Sequence, residues 1–343
     1  MQSRDVVRAW GAILEGRPPF LSLEVTRECP LRCPGCYAYE PEHIAGQLGL
    51  RTLSDFKGDQ LVERALAVID RVRPLHVSLV GGDPLVRYRE MEALVPQILA
   101  RGIHVQLVTS AFRAPALAWA NMDHLTVVVS IDGLPAEHDV RRAPATYERI
   151  LKSIEGNRVT VHCTITAQMV SRPGYLEEFL AFWTPRPEVH RVWFSLFTPQ
   201  RGAVAPEILS SKQRAQVVAE ITELRQRYPK LDMHPRVVPE FLKPPASPDE
   251  CIFAQVTETL SADLTSRVTP CQFGGDPDCS QCGCIASMGL ASIGRYKLGG
   301  VIPLGQIFNA SVKIGRWRSR SKRPSTPATA ALPVMPATVS DPE

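Results

Sequence analysis

The chain has 343 residues, of which 44% are hydrophobic and 22% are charged, and its formal net charge at pH 7 is +4. This composition is ordinary for a folded globular protein, and it excludes a disordered chain, a collagen-like chain and a strongly charged nucleic-acid tail. The small positive charge gives little reason to expect a nucleic-acid partner. No apolar run reaches the roughly 18 residues that a membrane-spanning helix needs, so no membrane span is expected.

The first 19 residues are predicted to be an N-terminal extension rather than a targeting segment. Their apolar stretch, Ala9–Leu14, is interrupted by Gly11 and flanked by Arg8 and Glu15. A secretory signal peptide needs a longer apolar core and a cleavage site of small residues. We therefore expect a cytoplasmic protein.

Residues 20–234 are predicted to form one α/β domain. Short β-rich runs alternate with segments in which apolar residues recur every three or four positions, as in helices with one buried face. The predicted strands are Leu21–Val25, His76–Val80, Val105–Thr109, Leu125–Ser130, Arg158–Ile165 and Val192–Phe197. Repeated strand–helix units predict a parallel sheet covered by helices. The run Val127-Val128-Val129 predicts strands that are apolar on both faces.

The C-terminal part of the chain changes in composition. A further helix is predicted over Ala205–Tyr228, capped by Ser210 or Ser211. Residues 235–250 are proline-rich and predict a linker, and residues 251–315 form a cysteine-rich annex. The tail over residues 316–343 begins with a basic run and continues in Pro, Ala and Thr, and disorder is expected there.

The nine cysteines are clustered, which in a cytoplasmic protein favours metal or redox chemistry over disulfides. Cys163 stands alone within a predicted strand and is expected to be a buried core thiol. The other eight form two groups, one early and one late: Cys29, Cys33 and Cys36, then Cys251, Cys271, Cys279, Cys282 and Cys284.

The early group has the spacing C-x3-C-x2-C in a loop after the first predicted strand. Three neighbouring thiolates can hold three irons of a [4Fe–4S] cubane and leave the fourth iron open to a ligand. An open coordination position is typical of a reactive metal site. A zinc site that takes its fourth ligand from elsewhere in the chain is the alternative.

Two more motifs fall at the ends of predicted strands, where barrel enzymes build their sites. The first is Gly81-Gly82-Asp83-Pro84, whose glycines allow a ligand to approach the backbone. The second starts at Ser130 and Asp132 and continues to Arg142, whose guanidinium suits a carboxylate.

Together these motifs resemble those of the radical S-adenosylmethionine (radical SAM) superfamily, in the group with a SPASM or twitch annex. The resemblance implies a partial (β/α)6 TIM-type barrel whose [4Fe–4S] cluster is held by the early cysteines. It also implies that the glycine motif binds the methionyl ammonium of SAM, and that Ser130, Asp132 and Arg142 lie near its carboxylate and ribose. The chain departs from the family pattern at Asp83, where Glu is commoner, and at Gly35, where an aromatic residue is common. Tyr37, which follows the third cysteine, is a candidate substitute near the adenine.

The late cysteines resemble those of the annexes that hold auxiliary [4Fe–4S] clusters. The alternating run from Val256 to Val268 predicts a β-hairpin around Ala262-Asp263, with a cysteine on either side. Five thiols suit one cluster with one left over. We expect Cys284 to be the spare ligand or a substitute, and a structural zinc site is the alternative.

The resemblance implies an enzyme that reductively cleaves SAM and abstracts hydrogen from a peptide, sugar-like or lipid-precursor substrate. It also implies a flavodoxin- or ferredoxin-type electron donor and an auxiliary cluster in electron transfer. Only about twenty residues precede the first strand, which weighs against a peptide held by a separate leader-binding domain. Glu40, Glu42 and His43 are expected to be solvated loop residues, and no catalytic acid or base is assigned. A non-catalytic zinc or iron–sulfur scaffold or redox sensor is the alternative function.

Overall fold

The computed structural model describes residues 3–44 and 49–321, and its centre is a sheet of seven parallel strands. These strands are β1 (Phe20–Glu24), β2 (His76–Val80), β3 (His104–Thr109), β4 (Leu125–Ile131), β5 (Val159–Ile165), β6 (Val189–Leu196) and β7 (Thr257–Leu260). Their order across the sheet is β6-β5-β4-β3-β2-β1-β7. The six predicted strands and the predicted parallel sheet are confirmed, with shifts of a few residues at the strand ends.

Helices follow most strands and cover one face of the sheet. They are α1 (Ser3–Leu14), α2 (Gly58–Val72), α3 (Tyr88–Ala100), α4 (Pro135–Arg142), α5 (Tyr147–Ile154), α6 (Tyr175–Trp183), α7 (Ser211–Arg227), α8 (Ile252–Val256), α9 (Ile285–Gly294) and α10 (Leu304–Ser321). A short antiparallel pair, β8 (Lys297–Leu298) and β9 (Ile302–Pro303), precedes α10. The α/β class and the barrel-type arrangement predicted from the sequence are thereby confirmed.

The two faces of the sheet differ, contrary to the expectation that both are apolar. Leu21, Leu23 and their neighbours on the other strands pack with the helices in one hydrophobic core. Because side chains alternate along a strand, the intervening residues point to the concave face. There the strand register aligns a row of polar side chains across neighbouring strands: Thr259, Ser22, Ser78, Gln106 and Thr126. The interior of the barrel is therefore suited to a polar ligand.

The predicted hairpin of the annex has two roles in the structure. Its first arm is β7, which pairs with β1 and adds a seventh strand to the main sheet. Its turn is closed by the Ser261 amide, which donates to the Ser266 carbonyl at 2.8 Å, and by an antiparallel bridge from Leu260 to Arg267. The hairpin is thus confirmed in a short form, and it joins the annex directly to the barrel.

The annex also reaches the opposite edge of the sheet. The Leu196 amide on β6 donates to the Gly283 carbonyl at 2.9 Å, and the Gly283 amide donates to Thr198 Oγ1 at 2.8 Å. A Cβ on Gly283 would lie 1.9 Å from the Leu196 carbonyl oxygen, so only glycine permits this approach. The annex chain therefore spans the open side of the barrel between β6 and β7.

The proline-rich segment after α7 packs against the barrel instead of spanning freely as a linker. Its 3₁₀-helix, Val238–Leu242, places Val238 and Phe241 in the main core at 0% exposure. Apolar side chains spaced three residues apart meet on one side of a 3₁₀-helix, which explains why this segment docks despite its prolines. Helix α7 begins at Ser211, later than the predicted Ala205, because Ser210 and Gln213 form a capping box.

The two terminal helices pack against each other. The Trp10 and Phe308 rings lie 4.8 Å apart, and Gly16 meets Gly315 so closely that a Cβ on Gly16 would lie 2.4 Å from the Gly315 carbonyl oxygen. The disorder expected from residue 316 is wrong for residues 316–321, which continue α10, because Val312 anchors this helix in a small core with Ile13. The rest of the predicted tail lies outside the described residues. In the described ranges, no helix combines the length and the apolarity needed to cross a bilayer.

A pair of neighbouring substitutions tests the docking of the proline-rich segment. Phe241→Ala should lower the free energy of unfolding by about 3–5 kcal/mol, because it empties a fully buried site. Leu242→Ala is the control, since that side chain is 45% exposed, and its cost should stay within about 0.5 kcal/mol. Urea denaturation measures both. Equal small effects would show that the segment is a free linker.

Candidate functional site

The early cysteines lie in a loop that follows β1 at the mouth of the barrel. Backbone hydrogen bonds fix this loop to the glycine motif after β2: the Gly82 amide donates to the Thr26 carbonyl at 2.8 Å, and the Asp83 amide donates to the Glu28 carbonyl at 2.9 Å. A Cβ on Gly82 would lie 2.0 Å from the Glu28 carbonyl oxygen. Glycine is therefore required for the two motifs to lie side by side.

The three thiols of this loop share a partly buried environment. Burial raises the pKa of Cys29 to about 11 and also raises the pKa values of Cys33 and Cys36. The Arg142 guanidinium opposes this effect at Cys33 and Cys36, which places a fixed positive charge beside the thiols. The residues predicted from separate motifs thus meet in space.

An ion-pair network holds the start of the cysteine loop. Arg87 donates to Glu28 Oε2 at 3.0 Å and to Asp55 Oδ2 at 2.8 Å, and Thr26 Oγ1 also donates to Asp55 at 2.7 Å. The hydrogen bond from Arg87 is the main reason that the pKa of Glu28 falls to about 2. Because Glu28 directly precedes Cys29, the network fixes the start of the cysteine loop.

The Asp83 side chain connects the ends of β2 and β3. Its Oδ1 accepts from the Leu85 amide at 3.0 Å and from Thr109 Oγ1 at 2.8 Å, and its Oδ2 accepts from the amide and the hydroxyl of Ser110. The carboxylate is buried at 3% exposure and makes four hydrogen bonds to protein groups. Asp83 is therefore placed to hold Thr109 and Ser110 at the end of β3.

The third motif contains an ion pair between Arg142 and Asp132. Arg142 Nε lies 2.9 Å from Asp132 Oδ2, and its Nη2 donates to Oδ1 at 3.3 Å. The neighbouring Arg141 donates to Glu207 at 2.8 Å and to the Pro34 carbonyl at 3.2 Å. Pro34 lies between the second and third cysteines of the loop. Helix α4 therefore holds the middle of the cysteine loop through Arg141.

His138 positions the Asp132 turn and was not assigned from the sequence. Its Nδ1 accepts from the Asp132 amide at 3.0 Å, and its Nε2 donates to the Ala145 carbonyl at 2.9 Å. The ring is fully buried, and burial lowers its pKa to about 4. The neutral form is the one that can both accept and donate in this way.

A second histidine connects the barrel wall to the annex. His162 on β5 is the register partner of Ser130 on β4, and its Nε2 lies 2.8 Å from Ser195 Oγ. Ser195 also accepts from the Ile285 amide of the annex at 3.3 Å. Burial lowers the pKa of His162 to about 4. The sequence analysis did not single out His162, although it is a polar residue within an otherwise apolar predicted strand.

The late cysteines surround one cavity. All five of them line it, together with Ser287 and Gln272. The Cys251 thiol lies 3.2 Å from Ser287 Oγ, and Gln272 Nε2 donates to the Cys284 sulfur at 3.3 Å. Within residues 3–44 and 49–321, no group of three or more His, Cys, Asp or Glu side chains is compact enough for a single metal ion.

Arg214 on α7 holds the backbone of the cysteine loop in the annex. Its Nη1 donates to the Phe241 and Cys282 carbonyls at 3.0 Å each, and its Nη2 donates to the Gln281 carbonyl at 2.6 Å. The side chain is 8% exposed, and burial lowers its pKa. The helical pattern alone gave no reason to single out this arginine, because its partners are distant in sequence.

His43 corrects one expectation from the sequence. It is fully buried, and its Nε2 lies 2.6 Å from Glu24 Oε1 while its Nδ1 lies 3.1 Å from the Phe273 carbonyl. The pairing with Glu24 outweighs burial and raises the pKa of His43. Glu40 and Glu42 are exposed, as predicted. His43 differs because the annex folds over it, which a local pattern does not reveal.

Tyr37 also faces the annex, where it contacts Phe273 and His43. Cys163 is 1% exposed in the main core, as predicted.

Replacing Arg87 by Met should lower the free energy of unfolding by about 3–5 kcal/mol, because Asp55 then remains buried with only the more distant Arg27, at 3.9 Å, as its cation. The matched control is Arg101→Met, which removes an exposed pair with Asp70 and should cost at most about 1 kcal/mol. Urea denaturation followed by circular dichroism gives both values. Similar costs for both variants would mean that the Arg87 network does not support the loop.

The buried His138 predicts a loss of stability in acid. Its folded-state pKa of about 4 lies below the ordinary value of 6.5, so the unfolded chain binds more protons between these values. Its contribution is therefore complete above pH 6.5 and declines as the pH falls towards 4. His138→Gln should lose less stability than the parent between pH 7 and pH 5 in denaturation curves. An unchanged slope would contradict the assignment.

Comparisons with known proteins agree with this geometry. A family model of the radical SAM superfamily matches residues 23–178. The PqqA peptide cyclase of Methylocella silvestris is 25% identical over 267 residues, which cover 74% of this chain and 68% of the cyclase. The PqqA peptide cyclase of Rhodopseudomonas palustris is 25% identical over 280 residues, which cover 76% of this chain and 69% of the cyclase.

Solved structures share the fold. SuiB of Streptococcus suis bound to the precursor peptide SuiA aligns with a TM-score of 0.55 at 16% identity, over 92% of this chain and 70% of SuiB. Native anSMEcpe with bound AdoMet aligns with a TM-score of 0.52 at 14% identity, over 74% of this chain and 75% of that protein. From the family match and the relatives, we conclude that residues 23–178 form a radical SAM domain and that the protein is an enzyme that uses a [4Fe–4S] cluster and SAM.

Proposed function

We propose that Cys29, Cys33 and Cys36 hold the [4Fe–4S] cluster at which this enzyme cleaves SAM reductively. The observation that carries this proposal is the meeting of these thiols with the glycine turn and the Arg142 guanidinium at the barrel mouth. The donor set fits the cluster, because three thiolates leave one iron open for SAM. When bound there, SAM supplies a 5′-deoxyadenosyl radical that abstracts hydrogen from the substrate.

The proposed SAM site combines backbone and side-chain groups. Gly81, Gly82 and Pro84 offer backbone carbonyls to the methionyl ammonium, while the Asp83 carboxylate positions Thr109 and Ser110. Ser130 and Arg142 receive the carboxylate and ribose region. Asp132 occupies only one side of the Arg142 guanidinium, and Nη1 makes no hydrogen bond within the described residues. That nitrogen remains for a ligand carboxylate.

The proposed auxiliary [4Fe–4S] cluster lies in the cavity lined by the late cysteines. We assign Cys251, Cys271, Cys279 and Cys282 as its ligands and Cys284 as a spare or substitute thiol. Arg214 supports this assignment, because it holds the loop from Gln281 to Cys282 by two hydrogen bonds to backbone carbonyls. In this proposal residues 20–234 are the radical SAM core, residues 235–250 connect it to the annex of residues 251–315, and residues 1–19 are an extension.

We propose a peptide substrate and a flavodoxin- or ferredoxin-type electron donor. The names of the PqqA peptide cyclases support the peptide, as does the SuiB structure with its precursor peptide. The polar row inside the barrel also suits the amide groups of a peptide. For the donor, the support is the exposed Arg32 beside the thiols, whose charge suits an acidic redox partner.

Cysteine variants separate the two clusters. Replacing Cys29, Cys33 and Cys36 by Ala should remove about four irons per chain and abolish 5′-deoxyadenosine formation. Replacing Cys251 and Cys271 by Ala should remove a similar number of irons and leave a SAM-responsive paramagnetic signal. Iron analysis and electron paramagnetic resonance after anaerobic reconstitution give these results. SAM cleavage by the first variant would refute the site, and zinc without SAM cleavage in the parent would indicate the scaffold alternative.

The substrate class is tested by deuterium transfer. The reconstituted enzyme is reduced and supplied with SAM and with a deuterated extract separated into a peptide fraction and a small-molecule fraction. The peptide proposal expects deuterium in 5′-deoxyadenosine only with the peptide fraction, because the radical takes its hydrogen directly from the substrate. Transfer from the small-molecule fraction alone would contradict the peptide and favour a sugar-like or lipid-precursor substrate.

A further inference from the structure

Two aromatic rings lie between the two cysteine groups. Tyr37 directly follows Cys36, and its ring centroid lies 5.3 Å from that of Phe273 in an edge-on contact. Phe273 in turn follows Cys271 by two residues. A chain of Cys36, Tyr37, Phe273 and Cys271 therefore crosses from the barrel to the annex through one ring-to-ring contact.

The Tyr37 ring packs where the early cysteine loop meets the annex. Tyr37 and Cys36 are partly buried against a small cluster of Ala38, Leu50 and Ala262, and Ala262 lies in the turn of the annex. The ring is thus contacted by residues of both the cysteine loop and the annex.

The ring pair is held by a buried hydrogen-bonded pair at its side. The imidazole of His43 lies 5.8 Å from the Tyr37 ring, and it contacts both Glu24 and the backbone of Phe273. Ser261 Oγ donates to the second carboxylate oxygen of Glu24 at 2.5 Å. Glu24 belongs to β1 and Ser261 to the annex turn, so these residues connect segments that flank both cysteine groups.

The annex backbone packs closely against the segment that contains His43. A Cβ on Gly274 would lie 2.0 Å from the His43 carbonyl oxygen, so the annex backbone rests directly on the segment that follows the early cysteines. Glu24 is 2% exposed, and both His43 and Ser261 are 0% exposed. A carboxylate buried to this degree is tolerated only where it is paired, so the contacts with His43 and Ser261 hold Glu24 in place.

We propose that the Tyr37 and Phe273 rings form the path by which electrons pass between the two iron–sulfur clusters, with Glu24 and His43 as the positioning residues that keep the rings in contact. The proposal rests on the proposed function, because it requires a cluster at each cysteine group. In the step, the rings conduct one electron from the annex cluster, which is oxidised, to the SAM cluster, which is reduced. No bond forms or breaks and no proton moves.

The test follows one electron in the reconstituted full-length enzyme. Photoreduced deazaflavin supplies less than one electron per chain, and freeze-quenched samples are examined by electron paramagnetic resonance for transfer between the two cluster signals. Tyr37→Leu and Phe273→Leu should slow the transfer by about tenfold or more, while Tyr37→Phe, which keeps the ring, should retain the parent rate. Tyr228→Leu, which removes a tyrosine ring at the C-terminal end of α7, is the control and should also retain the parent rate.

His43→Ala tests the positioning role. It should slow the transfer while the iron content and the line shapes of both signals stay as in the parent, which a merely structural brace would not produce. Transfer at the parent rate in both leucine variants would overturn the path, and so would loss of the annex cluster from both, since the rings would then be structural. Absence of a second cluster from the parent enzyme would instead refute the proposed function.

Discussion

The arrangement of the site depends on the backbone contact between the cysteine loop after β1 and the glycine turn after β2. Two amide-to-carbonyl hydrogen bonds join these segments, and Gly82 leaves no space between them. The parallel strands deliver both segments to the same edge of the sheet, so the two segments lie next to each other in the fold. With the loop fixed there, the thiols, Arg142 and Ser130 occupy one mouth of the barrel, and the proposed SAM site follows from that placement.

Buried charge maintains this geometry from several sides. Arg87 supports the start of the cysteine loop, Arg141 holds its middle through the Pro34 carbonyl, and Arg214 holds the corresponding loop of the annex. In each case a guanidinium binds a carboxylate or backbone carbonyls of a segment without regular structure. Arginine is suited to this task because its planar fork donates several hydrogen bonds in fixed directions and stays charged when it is partly buried.

The annex completes the barrel as well as covering it. Its first strand pairs with β1, and its cysteine loop bonds to the end of β6, so the chain spans the side that the six core strands leave open. The same folding brings Phe273 onto Tyr37 and buries His43 against Glu24. Closure of the barrel and the contact between the two cysteine groups therefore have one structural origin.

Local sequence patterns determined the elements and the residue types of the site. Short apolar runs between segments of helical periodicity located the six core strands, and the spacing of the cysteines identified the early and the late cysteine groups. Both kinds of feature arise from residues that are neighbours in the chain. The tertiary structure alone decided that His43 is buried, that the proline-rich segment joins the core, and that β7 extends the main sheet. Each of these depends on a partner tens to hundreds of residues away, and the free energy of such contacts comes from burial, which no short window of sequence contains.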